Sequence, residues 1–219
     1  MMETFLEEET INYEVASAGV SKLLEAMATQ FHCQLSSSQS MQYKVTVYDS
    51  HTVPDIQLAD YLHRLSKMSK CIYRDLVVAL VYIDKLINNE VINGISFHNV
   101  HRLIAIALMI STKFFDDVPY SNKSWSQIVG IPLRELNSTE VHFLQALNFD
   151  LGTDLQTMYN WSEAISRFAG GNLAHERQME QSTQRDTENN NESNQLSEES
   201  DNSPRIVVNN IIEDVVLED

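Results

Sequence analysis

The stretch VHRLIAIALMISTKFF, residues 100–115, decides the fold. It is apolar nearly all round when it is drawn as a helix, and such a helix must be covered by other elements on every face. The small side chains of Ala105 and Ala107 would let neighbouring helices approach it closely. We therefore predict a central helix at 97–115, with Ser96 as its N-cap, in an all-α fold.

Four more helices are predicted around this central one, at 55–65, 70–88, 123–129 and 132–148. The serines from Ser66 to Ser69 are expected to break the first of them. Asn122 is the expected cap of the short third one, which Gly130 ends, and Pro132 suits the first turn of the last. Scarce glycine and proline, 6 and 4 residues, agree with a helical protein.

Flanking segments complete the predicted organisation. A helix at 12–32, weakened by Gly19, precedes a connecting stretch at 33–54 in which an extended segment is one option. A sixth helix after the central group is predicted at 154–168. The predicted parts are thus an N-terminal helix and connection at 1–53, a helical domain at 54–168 and an acidic tail at 169–219.

The tail, residues 169–219, holds 12 acidic and 3 basic side chains. Residues 172–205 are rich in Asn, Gln, Ser and Glu and contain few large apolar side chains, so they are predicted to be disordered. The last stretch, RIVVNNIIEDVVLED, is read either as a frayed acidic tail or as a short strand or peptide that binds a partner.

Charge and cysteine content exclude several classes of function. The formal net charge is −16 and no basic stripe is present, which argues against nucleic acid as a direct partner. Cys33 and Cys71 are too few for a disulfide framework or a thiolate zinc site. An acidic N-terminus and the lack of a long apolar run predict no targeting peptide and no membrane span. The expected location is the cytoplasm or the nucleus.

The sequence offers little catalytic chemistry. It has no glycine-rich phosphate loop, no GxSxG and no HExxH, and the seven histidines are scattered. His98 and His101 could share a metal ion, but no further ligand lies nearby in sequence. Asp116 and Asp117 could bind magnesium, although a solvated loop or a partner contact fits them better. We therefore predict a protein without catalytic residues, metal ion or cofactor.

Lys113 stands out because it ends the most hydrophobic helix of the chain. At such a place an ammonium group must reach solvent, cap the carboxyl end of the helix or meet a carboxylate. The residue pattern alone leaves these three options open.

Four stretches in the expected order resemble the cyclin box, a five-helix unit, and within it the box of the P/U-type cyclins. They are DYLHRL (60–65), ALVYIDKLI (79–87), HRLIAIALMISTKFFDDVPYSNKSW (101–125) and GIPLRELNSTEVHFLQALNFDL (130–151). The segment KFFDDVPYSNK (113–123) is the most family-specific part. The resemblance places a single cyclin box at about 54–151.

The resemblance implies a regulatory subunit that forms a heterodimer with a cyclin-dependent protein kinase and stabilises its active conformation. Lys113 and Glu140 would be the charged pair through which cyclins hold the kinase, and Asp116 and Asp117 would border the same surface. No cofactor is implied.

The sequence departs from the larger cell-cycle cyclins in two ways. Only one helix follows the box, and Leu58–Leu65 lacks their substrate-docking pattern of methionine, arginine, alanine, isoleucine and leucine. The alternative function is a helical adaptor, or a transcription-factor-type cyclin fold, that binds a protein other than a kinase.

Overall fold

The computed structural model describes residues 2–37 and 42–170, with side chains from Tyr13 onward. Within these ranges the chain forms seven α-helices and no strand, which confirms the all-α prediction. The helices are α1 (Met2–Ser37), α2 (Leu58–Ser69), α3 (Tyr73–Asn88), α4 (Val100–Phe115), α5 (Asn122–Val129), α6 (Leu133–Ala146) and α7 (Leu155–Ala169). Both readings of the C-terminal stretch concern residues outside the described ones. No helix of the described part is long and apolar enough to cross a membrane.

The central helix predicted from the sequence is α4. Every residue from Val100 to Thr112 except Arg102 is buried. α3 packs against α4, and Ala105 and Ala107 of α4 have no exposed surface. Burial of one Leu or Ile side chain contributes about 1.5–3 kcal/mol, which makes this helix pair a main source of stability.

α1 and α7 pack onto the same core. α1 contacts α2, α3 and α7, and α7 also contacts α3. Leu23 of α1 and Ile165 of α7 are completely buried. Gly19 does not interrupt α1. A division of the chain at residue 53 therefore separates α1 from the helices against which it packs.

The prediction that serines end the first box helix is wrong, because Ser66 and Ser69 lie inside α2. Their hydroxyl groups donate to the backbone carbonyls of His63 at 2.8 Å and Leu65 at 2.7 Å. Serine hydroxyls inside a helix commonly bond a carbonyl of the preceding turn, so these serines do not end α2. The helix ends instead at Lys70, whose φ of 57° is left-handed.

Two predicted N-caps are also wrong. α4 begins at Val100 after Asn99, while Ser96 belongs to the preceding turn and donates its backbone N–H to Asn99 Oδ1 at 2.8 Å. α5 is capped by Ser121, whose hydroxyl accepts from the backbone N–H of Ser124 at 3.3 Å. Asn122 is therefore the first residue of α5, and its side chain is free for other contacts.

The predicted connection at 33–54 begins later than expected, since α1 continues to Ser37. No strand forms among its described residues at 42–54. Tyr48 is buried in this connection, and its ring meets the edge of Phe143 with centroids 5.7 Å apart. The connection thus packs against α6.

Candidate functional site

Lys113 and Glu140 lie together in the structure. The ammonium nitrogen of Lys113 is 2.6 Å from Glu140 Oε1, and the side chains are 24% and 14% exposed. Of the three options left open for Lys113, the structure shows the contact with a carboxylate. The pair is neither fully buried nor freely solvated, so a partner that covered it would remove the remaining water from both charges.

The packing of α6 explains why Glu140 points inward. Leu136, Thr139 and Phe143 are buried on the same helix, at positions −4, −1 and +3 from Glu140. Glu140 therefore shares the buried stripe of α6, which packs against α4. Lys113 lies in the last turn of α4, where a cation also interacts favourably with the helix dipole.

Asn122 is a third member of this site, which sequence reasoning missed. Its amide oxygen accepts a hydrogen bond from the Lys113 ammonium, and its amide nitrogen donates to Glu140 Oε2 at 2.6 Å. The same nitrogen donates to Asn137 Oδ1 at 2.8 Å. The Ser121-x-x-Ser124 spacing was the available signal, because a serine cap at Ser121 leaves the Asn122 side chain without a capping role.

Asp116 and Asp117 do not join this network. Asp116 follows the last residue of α4, and its carboxylate lies 3.9 Å from the guanidinium of Arg74 on α3. Asp117 is exposed. Within the described ranges, no hydrogen bond or ion pair connects either aspartate to Lys113 or Glu140. Their place at the border of the kinase surface stays a prediction.

Arg74 of α3 contacts the last residue of α4, Phe115. Its guanidinium lies 4.3 Å from the centroid of the Phe115 ring and 3.0 Å from the buried carboxylate of Asp75. Partial burial raises the pKa of Asp116, and the negative charge of Asp75 adds to this effect while Arg74 opposes it. The loop after α4 thus begins at a defined position beside α3.

Exposed apolar side chains stand next to the charged pair in sequence. Phe114 and Val118 are 51% and 91% exposed, and Tyr120 and Val141 are 38% and 49% exposed. We call the charged network and these four residues together the α4–α6 surface; its members are Lys113, Phe114, Val118, Tyr120, Asn122, Asn137, Glu140 and Val141. Exposed apolar side chains together with a partly desolvated charge pair are typical of a protein-binding surface.

His98 and His101 do not form a metal site. His98 Nδ1 lies 3.1 Å from the backbone oxygen of Ser50, and His101 Nε2 lies 3.0 Å from that of Ile56. Each ring is thus held separately by the connection between α1 and α2. The described part of the chain contains no group of three or more His, Cys, Asp or Glu side chains arranged to hold a metal ion.

Comparison with known proteins agrees with the resemblance. The family model named Cyclin matches residues 11–151. The chain belongs to the cyclin family. The match includes much of α1 as well as the five helices α2–α6, so the family's domain extends further toward the N-terminus than the box predicted at 54–151.

The curated relatives place this cyclin in the P/U group. It is 31% identical to Cyclin-U4-3 of Arabidopsis thaliana over 128 residues, which are 58% of each chain. It is 37% identical to Cyclin-U3-1 of the same plant over 117 residues, 52% of each chain. Cyclin-P4-1 of Oryza sativa subsp. japonica is 34% identical over 107 residues, 49% of this chain and 50% of that relative. The matched part of the cyclin thus spans between half and three fifths of these relatives.

Proposed function

We propose that this cyclin is a non-catalytic regulatory subunit that binds a cyclin-dependent protein kinase through the α4–α6 surface. The observation that carries the proposal is the Lys113–Glu140 pair, which the fold brings together from two helices at 2.6 Å and leaves partly exposed. The proposed complex is a heterodimer that involves neither nucleic acid nor a membrane.

The chemistry of the surface suits a helix with both apolar and polar groups. The Lys113 ammonium has three N–H donors, and among the described residues it uses two of them, for Glu140 and Asn122, so the third can serve an acceptor on the partner. Phe114, Val118 and Val141, which are near Lys113 or Glu140 in sequence, supply exposed apolar area. Covering them would exclude water and strengthen the polar contacts at the centre.

The proposed mechanism is a shift in the conformational population of the kinase. A protein kinase is competent when the glutamate of its αC helix pairs with the lysine of strand β3, so a partner that holds αC inward favours the active state. A shift from 1:99 to 99:1 requires about 5.5 kcal/mol of differential binding. One desolvated charge pair and a few buried aromatic and aliphatic contacts can supply that amount.

The test uses the full chain and a panel of recombinant cyclin-dependent kinases. The cyclin is immobilised, bound kinases are identified by mass spectrometry, and phosphorylation of a histone substrate is measured with and without it. We expect at least one kinase to bind and to gain activity. If no kinase of the panel binds the cyclin and gains activity, this proposal is overturned and the adaptor function becomes the better one.

We also propose that the protein acts in the cytoplasm or the nucleus. The composition supports this location, since a content of only two cysteines fits a reducing compartment. Imaging of a fluorescent fusion in cells tests it, and accumulation in a secretory compartment would contradict it.

A further inference from the structure

Asn122 contacts both members of the Lys113–Glu140 pair. Its oxygen accepts from the ammonium, and its nitrogen donates to Glu140 Oε2 at 2.6 Å. Because Lys113 donates to Oε1, each oxygen of the Glu140 carboxylate has its own donor. An amide offers an acceptor and two donors on one neutral group, so it can serve an ammonium and a carboxylate at once. A charged side chain at this position would repel one of the two.

The orientation of the Asn122 amide is itself fixed by its surroundings. The Asn137 oxygen accepts from the same nitrogen at 2.8 Å, so this nitrogen faces two acceptors while the oxygen faces the ammonium. A flipped amide would place an oxygen against two oxygens and an NH₂ group against an ammonium. The network therefore admits one arrangement, in which helices α4, α5 and α6 each contribute at least one side chain.

We propose that Asn122 is a positioning residue for kinase binding, which holds Lys113 and Glu140 in the arrangement that the kinase meets. This inference rests on the function proposed above. Lysine and glutamate side chains have many rotamers, and ordering them during association weakens affinity. Asn122 gives each of them a second contact in the free protein, so that less ordering remains for the moment of binding.

Two variants separate this role from a role in folding. Asn122→Ala removes the contacts of this side chain with Lys113 and with Glu140. Asn122→Asp keeps the shape and the acceptor for Lys113 but places a carboxylate against Glu140. Asn160→Ala is the matched control, because Asn160 is a partly exposed helical amide that accepts from Gln156 at 2.9 Å on α7. Circular dichroism and thermal melting show which variants remain folded.

The first readout needs no kinase. In the full chain labelled with ¹⁵N, NMR of the lysine ammonium groups detects those whose exchange with water is slowed by hydrogen bonds. Lys113→Arg assigns the signal. We expect a Lys113 signal in the wild type and in Asn160→Ala, and its loss or broadening in Asn122→Ala, which removes an acceptor of the ammonium. Asn122→Asp should retain the signal, because its carboxylate still accepts from Lys113. An unchanged Lys113 signal in Asn122→Ala would overturn the positioning role.

The second readout is the affinity for the kinase of the panel that the wild type binds most tightly. We expect Asn122→Ala to weaken binding about tenfold, from the added ordering of two side chains. In a Glu140→Gln background the same change should weaken kinase binding by a smaller factor, because the contact between Asn122 and the Glu140 carboxylate is already absent. Equal losses in both backgrounds, or no loss, would overturn the inference. If the wild type binds no kinase, the proposed function fails, and the ammonium signal alone decides whether Asn122 orders the pair.

Discussion

Gly19 of α1 lies directly against the backbone of Ile165 in α7. A Cβ atom on residue 19 would be 2.5 Å from the carbonyl oxygen of Ile165 and 3.1 Å from the Cβ of Ala169. Nothing larger than hydrogen fits between the two helices at this point. This close crossing lets α7 place Trp161, as well as Ile165, in the core.

We expect Gly19→Ala to destabilise the protein although it improves the helix propensity of α1. Propensity favours alanine by about 1 kcal/mol. Against this, overpacking typically costs about 1–3 kcal/mol, and here the contact is with backbone, which cannot rotate away. Urea unfolding monitored by circular dichroism should therefore show a net loss of stability. A variant that is more stable than the wild type would contradict the close crossing.

Gly152→Ala is the matched control for this change. A Cβ on residue 152 would lie 3.5 Å from Asp150 Oδ1, an ordinary van der Waals distance. We expect its free energy of unfolding to stay within about 0.5 kcal/mol of the wild type, as for a surface substitution.

Gly19 also shows where sequence reasoning stops. From the sequence it could only be read as a weak point in a helix, because its reason is a contact with a residue 146 positions away. The central helix α4 was predictable, since its apolar pattern is local and leaves no face for solvent. The ends of helices were harder to predict. The serines of α2 donate their hydroxyls to carbonyls of their own helix, which a residue pattern does not reveal.

The candidate site shows the same division. Lys113 and Glu140 were assigned from the family resemblance, and the fold brings them together. Asn122 was missed because an asparagine that caps a helix cannot be told from the sequence apart from one whose amide bridges two charges. Only the positions of α4 and α6 relative to α5 reveal that this amide lies between two charges.

His101 predicts how stability depends on pH. The ring is buried, Nε2 donates to the Ile56 carbonyl at 3.0 Å, and Nδ1 has no partner among the described residues. Burial lowers the pKa of His101 below its usual 6.5, and the hydrogen bond to Ile56 opposes this only in part. The unfolded chain therefore binds a proton more readily than the folded one. As the pH falls below about 6.5, the free energy of unfolding should decrease.

His101→Gln isolates this effect from other titrating groups. Glutamine retains a donor for the Ile56 carbonyl but takes up no proton in this range. Urea unfolding at a series of pH values should show a weaker decline below pH 6.5 for the variant than for the wild type. Parallel curves would show that His101 is protonated equally well in both states.

Two truncations test which C-terminal elements belong to the fold. Gly170 ends α7 with a left-handed φ of 106°, and the composition beyond it predicts no core contribution. A chain that ends at Gly170 should melt at nearly the wild-type temperature. A chain that ends at Leu151 loses α7 and should not fold, because Trp161 and Ile165 would leave large cavities that cost about 2–5 kcal/mol each. A large drop in melting temperature for the longer chain would show that the tail stabilises the core.

Exchange of the charges at Lys113 and Glu140 separates an interface from a structural ion pair. Either single reversal, Lys113→Glu or Glu140→Lys, places two like charges at the position of a 2.6 Å contact and should lower both stability and kinase binding. The double exchange restores attraction within the chain, so urea unfolding should recover much of the lost stability. Kinase binding should stay weaker by about 2–5 kcal/mol, since the partner now meets reversed charges.

The control exchange is Glu163→Arg with Arg167→Glu, an exposed pair on α7 whose atoms are 2.6 Å apart. Such surface pairs contribute about 0–1 kcal/mol, so this exchange should alter neither stability nor kinase binding appreciably. Recovery of kinase binding together with stability in the Lys113 and Glu140 exchange would show that the pair only holds α4 to α6. If the kinase contacts the two charges directly, stability should recover while kinase binding stays weak.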